Sequence, residues 1–491
     1  MRRSGILMHV TSLPGPGGVG SLGKEAYEFA DFLHQSGMQL WQVLPMGPTG
    51  YGESPYQSTS VFAGNPLLIS TRMLKEQGLL NYDFSEEYVP ETEDTVQYDA
   101  ARYHKEQLLR RCFSQSEENL KDELAQFVQD NHWVEDFALF TAVKQSFGNA
   151  MWTKWPDKAI RMREEEAIAE YKEKLDEEIR YHIFCQYLFR QQWFALKKYC
   201  NSLDIKLFGD MPIYVAEDSA DTWTNPDVFQ LDEDRVPSRV AGVPPDLFSA
   251  DGQLWGNPLY RWSYLQTTGY KWWVERMRGM SEMYDIVRVD HFIGFANYYS
   301  IPYGAPTART GRWIVGPGKH LFTTFRRELP DLNVVAEDLG VLNERVYDLL
   351  DFVGYPGMKV LSFGFPASKD NPHSLCNWKE NTVCYTGTHD NDTVLGWLKS
   401  VDKKTLKEVK ETLGFTRLKD GPAAFIKCAM ESVANDCVIP MQDILGLDGS
   451  ARMNMPSTTG GNWLWRMKSG LTDKKMVARL QELNKTSKRG V

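Results

Sequence analysis

The sequence predicts an α/β protein built as a closed (β/α)8 TIM barrel with large, mainly helical insertions between its strands. Three observations carry this. Short apolar runs rich in β-branched residues recur along the chain and end on polar or charged residues. Helical patterns lie between several of them, and strands alternating with helices, with polar strand ends, mark a parallel sheet. The runs number eight, which favours a closed barrel over an open doubly wound sheet, the alternative reading.

In order, the runs are GILMHV (5–10), QLWQVLP (39–45), KLFGDMPIYV (206–215), IVRVDH (286–291), NVVAEDLG (333–340), MKVLSFGF (358–365), CYTGTHD (384–390) and CVIPMQDIL (437–445). Between the first two, residues 22–36 place Ala26, Phe29, Ala30 and Leu33 on one helical face, and Gly37 reads as the stop. Residues 343–353 carry the stripe Val346, Leu349, Leu350 and Val353. A barrel takes about 250 residues. The chain has 491, so the surplus must be insertions. The largest, 72–200 after the second strand, reads as mainly helical, with stripes at Leu108, Leu109, Cys112 and Phe113 and at Ile179, Ile183 and Tyr187. Its Glu-, Lys- and Arg-rich part, 163–182, reads as a solvated face. A second insertion, 216–280 after the third strand, reads as loop-rich, with a lid loop at 242–260. Residues 446–491 read as a C-terminal loop and helix. The whole of 1–491 is expected to form one barrel domain.

Composition bounds the function. The seven cysteines are scattered without a CxxC pair, which argues against a disulfide framework or a structural zinc site and suggests a reducing compartment. The apolar run in MRRSGILMHV is too short for a signal peptide, and no stretch approaches the roughly 18 apolar residues of a membrane helix. A net charge of −10 disfavours nucleic acid and anionic membranes as partners. The expectation is a cytoplasmic protein, monomer or homodimer. Most of the 15 Trp, 22 Tyr and 24 Phe will pack the core, and an excess outside it suits a neutral, ring-shaped ligand such as a sugar.

The strand ends carry the chemistry. In a barrel the C-terminal ends of the strands share one rim, where catalytic side chains gather. Asp210, Asp290, Glu337 and Asp390 end the third, fourth, fifth and seventh predicted strands. Acetal cleavage needs two opposed carboxyls, one protonated to serve the leaving oxygen and one ionised to attack or to activate water. Arg288, two residues before Asp290, shares its face of the strand and is expected to lower its pKa. The apolar approach Val334, Val335, Ala336 is expected to raise that of Glu337. A set of buried ion pairs bracing the barrel is the bland alternative. Asp338 should point away from Glu337, His9 and His291 should be supporting hydrogen bonders, and Asp285 should have no part in chemistry.

RVDH (288–291), AEDLG (336–340) and THDND (388–392) resemble the nucleophile, acid/base and third-carboxylate motifs of the α-amylase superfamily. SPYQ (54–57), GDMPIYVAEDSADTW (209–223), GVPPDLFSADGQLWGNPLY (242–260) and GNWLWR (461–466) resemble, more finely, the 4-α-glucanotransferases called amylomaltase or disproportionating enzyme. The resemblance runs from Leu13 to Arg466, and the amylase C-terminal β-sandwich has no counterpart. It implies Asp290 as nucleophile, Glu337 as acid/base and Asp390 as the grip on the ring hydroxyls of a distorted sugar. Arg288 and His389 would support them. Tyr51, Ser54, Tyr56, Asp210, Asp246, Trp255, Asn257 and Asn454 would hold the glucan. Maltooligosaccharides and α-1,4-glucans are the implied donors and acceptors, with glucose as acceptor or product. No ligand cluster argues for a catalytic metal, and no motif for a nucleotide or pyridoxal cofactor. If the source were a plant or alga, the plastid stroma would replace the cytoplasm.

A transferase must favour a bound acceptor over water by positioning it. Aromatic faces do this while shedding water. Tyr51, Tyr56 and Trp255 are the candidates, with ARMNMPSTTGGNW (451–463) closing from the other side. A hydrolase of amylase type and a non-catalytic glucan-binding scaffold remain the rival functions. In the loop after the eighth strand the family usually shows Pro-Gly where this chain has Pro456-Ser457, and serine takes positive φ less readily.

Overall fold

The computed structural model describes residues 2–50, 52–245, 249–340, 342–458 and 460–490. Twelve strands form among them: β1 (Arg3–Leu7), β2 (Leu40–Gln42), β3 (Lys206–Pro212), β4 (Arg239–Val243), β5 (Gln253–Pro258), β6 (Ile286–Asp290), β7 (Asn297–Pro302), β8 (Arg312–Val315), β9 (Val334–Ala336), β10 (Gly357–Val360), β11 (Thr382–Tyr385) and β12 (Asp436–Pro440). Eight of them make one sheet in the order β10-β11-β12-β1-β2-β3-β6-β9, with every pairing parallel. Each of these eight overlaps one of the eight predicted runs. The strands stop before the runs do, because the polar ends turn onto the rim.

The ring closes between β9 and β10. The Ala336 N–H donates to the Pro356 carbonyl at 2.9 Å, and the Met358 N–H donates to Asp338 Oδ1 at 2.7 Å. Asp338 thus points away from Glu337, as alternation along an extended chain requires, and braces the seam. Inside the barrel the buried Tyr385 donates its hydroxyl to Gln42 Oε1 at 2.9 Å, while Trp41, the preceding residue of β2, faces outward and meets Phe29 at 4.9 Å. The helix Lys24–Gln35 buries Ala26, Phe29, Ala30 and Leu33 against it, and the chain leaves that helix through Gly37 at φ +72°. The spacing of Gly15, Gly17 and Gly20 matches a dinucleotide-binding loop, yet no helix opens on it. The segment turns back on itself, Gly20 N–H bonding the Thr11 carbonyl, and helix begins only at Lys24.

Residues 72–200 are mainly helical and include Tyr98–Ser116, Val134–Ser146 and the long helix Asp176–Ser202. They carry a satellite core around Phe137, Phe140, Trp152 and Trp155, which Trp223 joins from the segment after β3. The segment expected to be loop-rich, 216–280, holds more order than its sequence suggests. It supplies β4 and β5, which join β7 and β8 in an antiparallel sheet, β5-β4-β7-β8. Glycine and proline interrupt the alternation of β5, and Gly256 sits at φ +80°, so the run does not read as a strand. At the opposite end of the barrel the fully buried Arg489 donates to the carbonyls of Arg3, Met430, Ala434 and Asn435, stitching the C-terminal segment under β1 and β12.

Candidate active site

Strand register assembles the site. Asp210 on β3 lies directly opposite Arg288 on β6, and Arg288 lies opposite Val335 on β9. Asp290 and Glu337, two residues further along their segments, therefore share the inward face with Arg288. Arg288 Nη1 lies 2.7 Å from both Asp210 carboxylate oxygens, and Nη2 lies 2.9 Å from Asp290 Oδ1. The Asp210 side chain is fully buried, while that of Asp290 keeps 30% of its surface open to the bowl. The sequence pairs Arg288 with Asp290, but the structure gives it to Asp210 first.

Glu337 is held by backbone amides, one of them at the end of the strand that bears Asp290. Its Oε2 accepts from the His291 N–H at 2.7 Å, and its Oε1 from the Leu339 N–H at 2.8 Å. To aim that amide, His291 adopts a left-handed conformation at φ +52°, which costs a non-glycine residue roughly 1–2 kcal/mol. Burial, then the neighbouring Asp290 charge, push the Glu337 carboxyl up to about 8. Asp290 departs from the expected direction. Burial outweighs the Arg288 guanidinium and pushes its carboxyl up, to about 6. Asp290 is still the more acidic of the pair, because Arg288 and the open bowl serve its ionised form.

A second cluster faces them from β11 and the loop after β12. For Asp390, burial pulls the carboxyl up, but the His389 charge and hydrogen bond, Asn454 and Arg288 together hold it at about 2. Asn454 Nδ2 donates to Asp390 Oδ1 at 2.6 Å, and His389 Nε2 lies 3.3 Å from the same oxygen. Burial lowers the His389 imidazole, yet Asp390 outweighs it and the net direction is up. Tyr56 joins the two clusters. Its hydroxyl donates to Asp210 Oδ2 at 2.7 Å, and its ring stacks on His389 at 5.0 Å.

The remaining candidates divide. Trp255 is half-buried and meets His291 edge to face at 4.8 Å. Asn257 is buried and already engaged, donating to the Val215 carbonyl at 3.0 Å and accepting from Gln57 at 3.4 Å. Ser54 Oγ accepts from the Tyr56 N–H at 3.3 Å, which makes it a turn former. Tyr51 and Asp246 lie outside the described residues. His9 is buried, and its Nδ1 accepts from the Leu44 N–H at 3.3 Å. His291 differs from expectation, since its Nε2 makes no hydrogen bond among the described residues. Asp285 accepts from the Leu207 N–H and Asn201 below the rim.

Two residues next to the site were not singled out by sequence. Arg452 donates to the Asp390 carbonyl at 2.6 Å and the Asn454 carbonyl at 2.7 Å, fixing both backbones. Trp463, at φ +65°, brings its ring to 5.9 Å from Tyr56 and 6.0 Å from His389. Both lie in quoted strings, but a polar loop gives no register from which to aim them. Among the described residues, no three His, Cys, Asp or Glu side chains are grouped to hold a metal ion, and no helix is long and apolar enough to cross a membrane.

A (β/α)8 barrel whose rim gathers paired carboxyls of unequal acidity and a third held ionised belongs to the class of carbohydrate-active barrel enzymes. Comparison with known proteins narrows this. The 4-alpha-glucanotransferase family model (Glyco_hydro_77) matches residues 8–472. A 4-alpha-glucanotransferase of Streptococcus pneumoniae is 46% identical over 95% of this chain and 93% of its own, and one from Thermus thermophilus is 44% identical over 99% of each. The structure of amylomaltase from Streptococcus agalactiae in complex with acarbose superposes with a TM-score of 0.98 at 41% identity, covering all of both chains. The chain belongs to the 4-alpha-glucanotransferase family, and its activity is that of a 4-α-glucanotransferase.

Proposed function

We propose that the enzyme moves α-1,4-glucan segments by a retaining double displacement in which Asp290 is the nucleophile and Glu337 the acid/base. The observation that carries this is the Glu337 carboxyl, which accepts the amide of the residue next to Asp290 at 2.7 Å and is pushed up to about 8. In the first half, an Asp290 oxygen bonds to C1 of the donor as the C1–O4 bond breaks, and Glu337 gives its proton to the departing O4. The product is a β-linked glucosyl-enzyme. In the second half, Glu337 takes the proton of an incoming glucan 4-hydroxyl, that oxygen bonds to C1, and Asp290 leaves. Two inversions at C1 keep the α-anomer.

Arg288 stabilises Asp290 as the leaving carboxylate. Asp390, held ionised by His389 and Asn454, receives hydroxyls of the distorted ring, and His389 donates to the same ring. Tyr56 and Asp210 support this floor. The acceptor competes with water for the intermediate, and Trp255 beside His291 favours the sugar by stacking and by shedding water. The substrates in this reading are maltooligosaccharides and longer α-1,4-glucans, glucose serves as acceptor, and the enzyme works in the cytoplasm as a monomer or homodimer.

Incubation with maltotriose alone tests the outcome: glucose together with a ladder of longer maltodextrins is expected, and shorter sugars only would mean hydrolysis. The Glu337→Gln variant with a fluorinated maltosyl fluoride tests the mechanism. A glycosyl mass on the peptide carrying Asp290 is expected, and a label on any other residue would remove Asp290 from its role.

A further inference from the structure

Arg276 lies outside the bowl, on the helix Lys271–Met283, and is 2% exposed. Among the described residues no carboxylate lies within ion-pair distance of it. Its Nη1 donates to the Ile213 carbonyl and to the Tyr260 hydroxyl, both at 2.9 Å, and Nη2 donates to the Pro212 carbonyl. Its Nε makes no hydrogen bond among the described residues. The guanidinium sits over the rings of Trp273 and Trp272, at 5.0 and 5.6 Å. The buried carboxyl of Asp221 acts on it only from beyond ion-pair distance, and a buried cation with no carboxylate in contact costs free energy that an apolar side chain of similar size would not. The contacts it makes show what that cost secures.

The three oxygens belong to two segments that flank the bowl. Pro212 ends β3 in register with Asp290, and Ile213 follows it. Tyr260 stands two residues beyond β5, the strand that carries Trp255 and Asn257. Further rungs join the same segments, from the Tyr260 hydroxyl to the Ile213 carbonyl at 2.7 Å and from Asn257 Nδ2 to the Val215 carbonyl at 3.0 Å. Tyr214 is held between them. Its ring stacks on Tyr260 at 6.1 Å and meets Trp255 at 6.1 Å and His291 at 6.3 Å. The stem of the β4–β5 arm is thus fastened to the end of β3 by a ladder in which Arg276 supplies the charge.

We propose that Arg276, acting through Tyr260, is a positioning residue for glucan transfer: it fixes the stem of the β4–β5 arm so that Trp255 stands beside His291, and thereby sets how well an acceptor sugar outcompetes water. This rests on the reading of Trp255 as part of the acceptor side. Neither Arg276 nor Tyr260 touches the reacting atoms, so the first chemical step should be indifferent to them.

The test compares Tyr260→Phe, Arg276→Lys and Arg276→Met with the wild-type enzyme and with Trp255→Ala. Cleavage of a nitrophenyl maltooligoside without acceptor reports the first step, and a titration of added glucose reports acceptor KM and the ratio of transfer to hydrolysis. For Tyr260→Phe we expect nitrophenol release within twofold of wild type, an acceptor KM raised about fivefold or more, and a larger hydrolytic share. Arg276→Lys, which keeps the charge but cannot reach three oxygens, should fall between wild type and Arg276→Met. If Arg276→Met does not fold, the other two variants decide. Unchanged acceptor KM and transfer ratio in both, or a loss in every parameter proportional to lost folded protein, would overturn the proposal. If Trp255→Ala shifts the ratio while these variants do not, this inference alone fails; if Trp255→Ala leaves it unchanged, the acceptor reading fails and this inference with it.

Discussion

Arg288 sets one nitrogen, Nη1, within 2.7 Å of both carboxylate oxygens of Asp210, and leaves Nη2 to reach Asp290 at 2.9 Å. Asp210 is the buried half of this bridge, and its negative charge also opposes ionisation of Asp290. Asp210→Asn should therefore act in two ways. Removing one partner of a buried pair should lower stability by about 3 kcal/mol, visible as a lower Tm. Removing a negative neighbour should favour ionised Asp290 and move the acidic limb of the pH–rate profile to lower pH. An acidic limb that stays in place would uncouple Asp210 from Asp290.

Asp290→Asn should abolish turnover, with a fall in kcat of a thousandfold or more, equivalent to about 4 kcal/mol of barrier. The carboxyl is the less buried member of its network, so Tm should change by no more than a few degrees. Ordinary activity on maltotriose would remove Asp290 from the mechanism.

The pH dependence follows from the pair. In the proposed mechanism kcat/KM needs Asp290 ionised and Glu337 protonated. With the two pushed up to about 6 and about 8, a bell centred near neutrality is expected, its limbs belonging to the coupled pair. Stability carries its own sign. Glu337 has a folded pKa above its ordinary value, so its contribution is fully present below about pH 4.5 and is lost as pH rises through about 8. Glu337→Gln lacks that loss. Its Tm relative to wild type should climb between pH 5 and pH 9, and a flat difference would place the raised pKa elsewhere.

Trp255→Ala should shift the products of one pure maltooligosaccharide towards hydrolysis while cleavage of the donor persists. The ring packs edge to face with His291, next in sequence to Asp290, so its loss admits water where the acceptor is expected. An unchanged ratio of transfer to hydrolysis would remove Trp255 from the acceptor side.

Ser457 holds the left-handed conformation at φ +65° that a glycine would take freely. Ser457→Gly should stabilise the protein by at most about 1 kcal/mol, since glycine relieves the strain but gains freedom in the unfolded chain. Tm should rise slightly, with no change in Asp290-dependent chemistry. A fall in Tm would show that the serine side chain contributes more than its backbone costs.

The barrel strands were legible because each is a short apolar run, a pattern that needs no partner to be read. The placing of Asp290, Glu337 and Asp390 at strand ends was legible because their runs close on an acid. What escaped depended on neighbours distant in the chain. Arg288 turns first to Asp210 because β3 and β6 are in register, and Tyr56 links Asp210 to His389 across long sequence separations. The upward shift of Asp290 depends on burial, which no local string reports. The β4–β5 arm was hidden by Gly256 and Pro258, and Arg452 by a polar loop that gives no direction to its side chain.

The left-handed turn at residue 291 makes one peptide unit serve as a caliper. It continues the strand that bears one acid and grips the other by its oxygen, so their gap is gauged by main chain, whatever ring or amide lines the cup around them. Engineering for longer or shorter oligosaccharides can therefore exchange those linings without altering the gap, whereas a residue inserted between 290 and 291 would change it for every substrate at once.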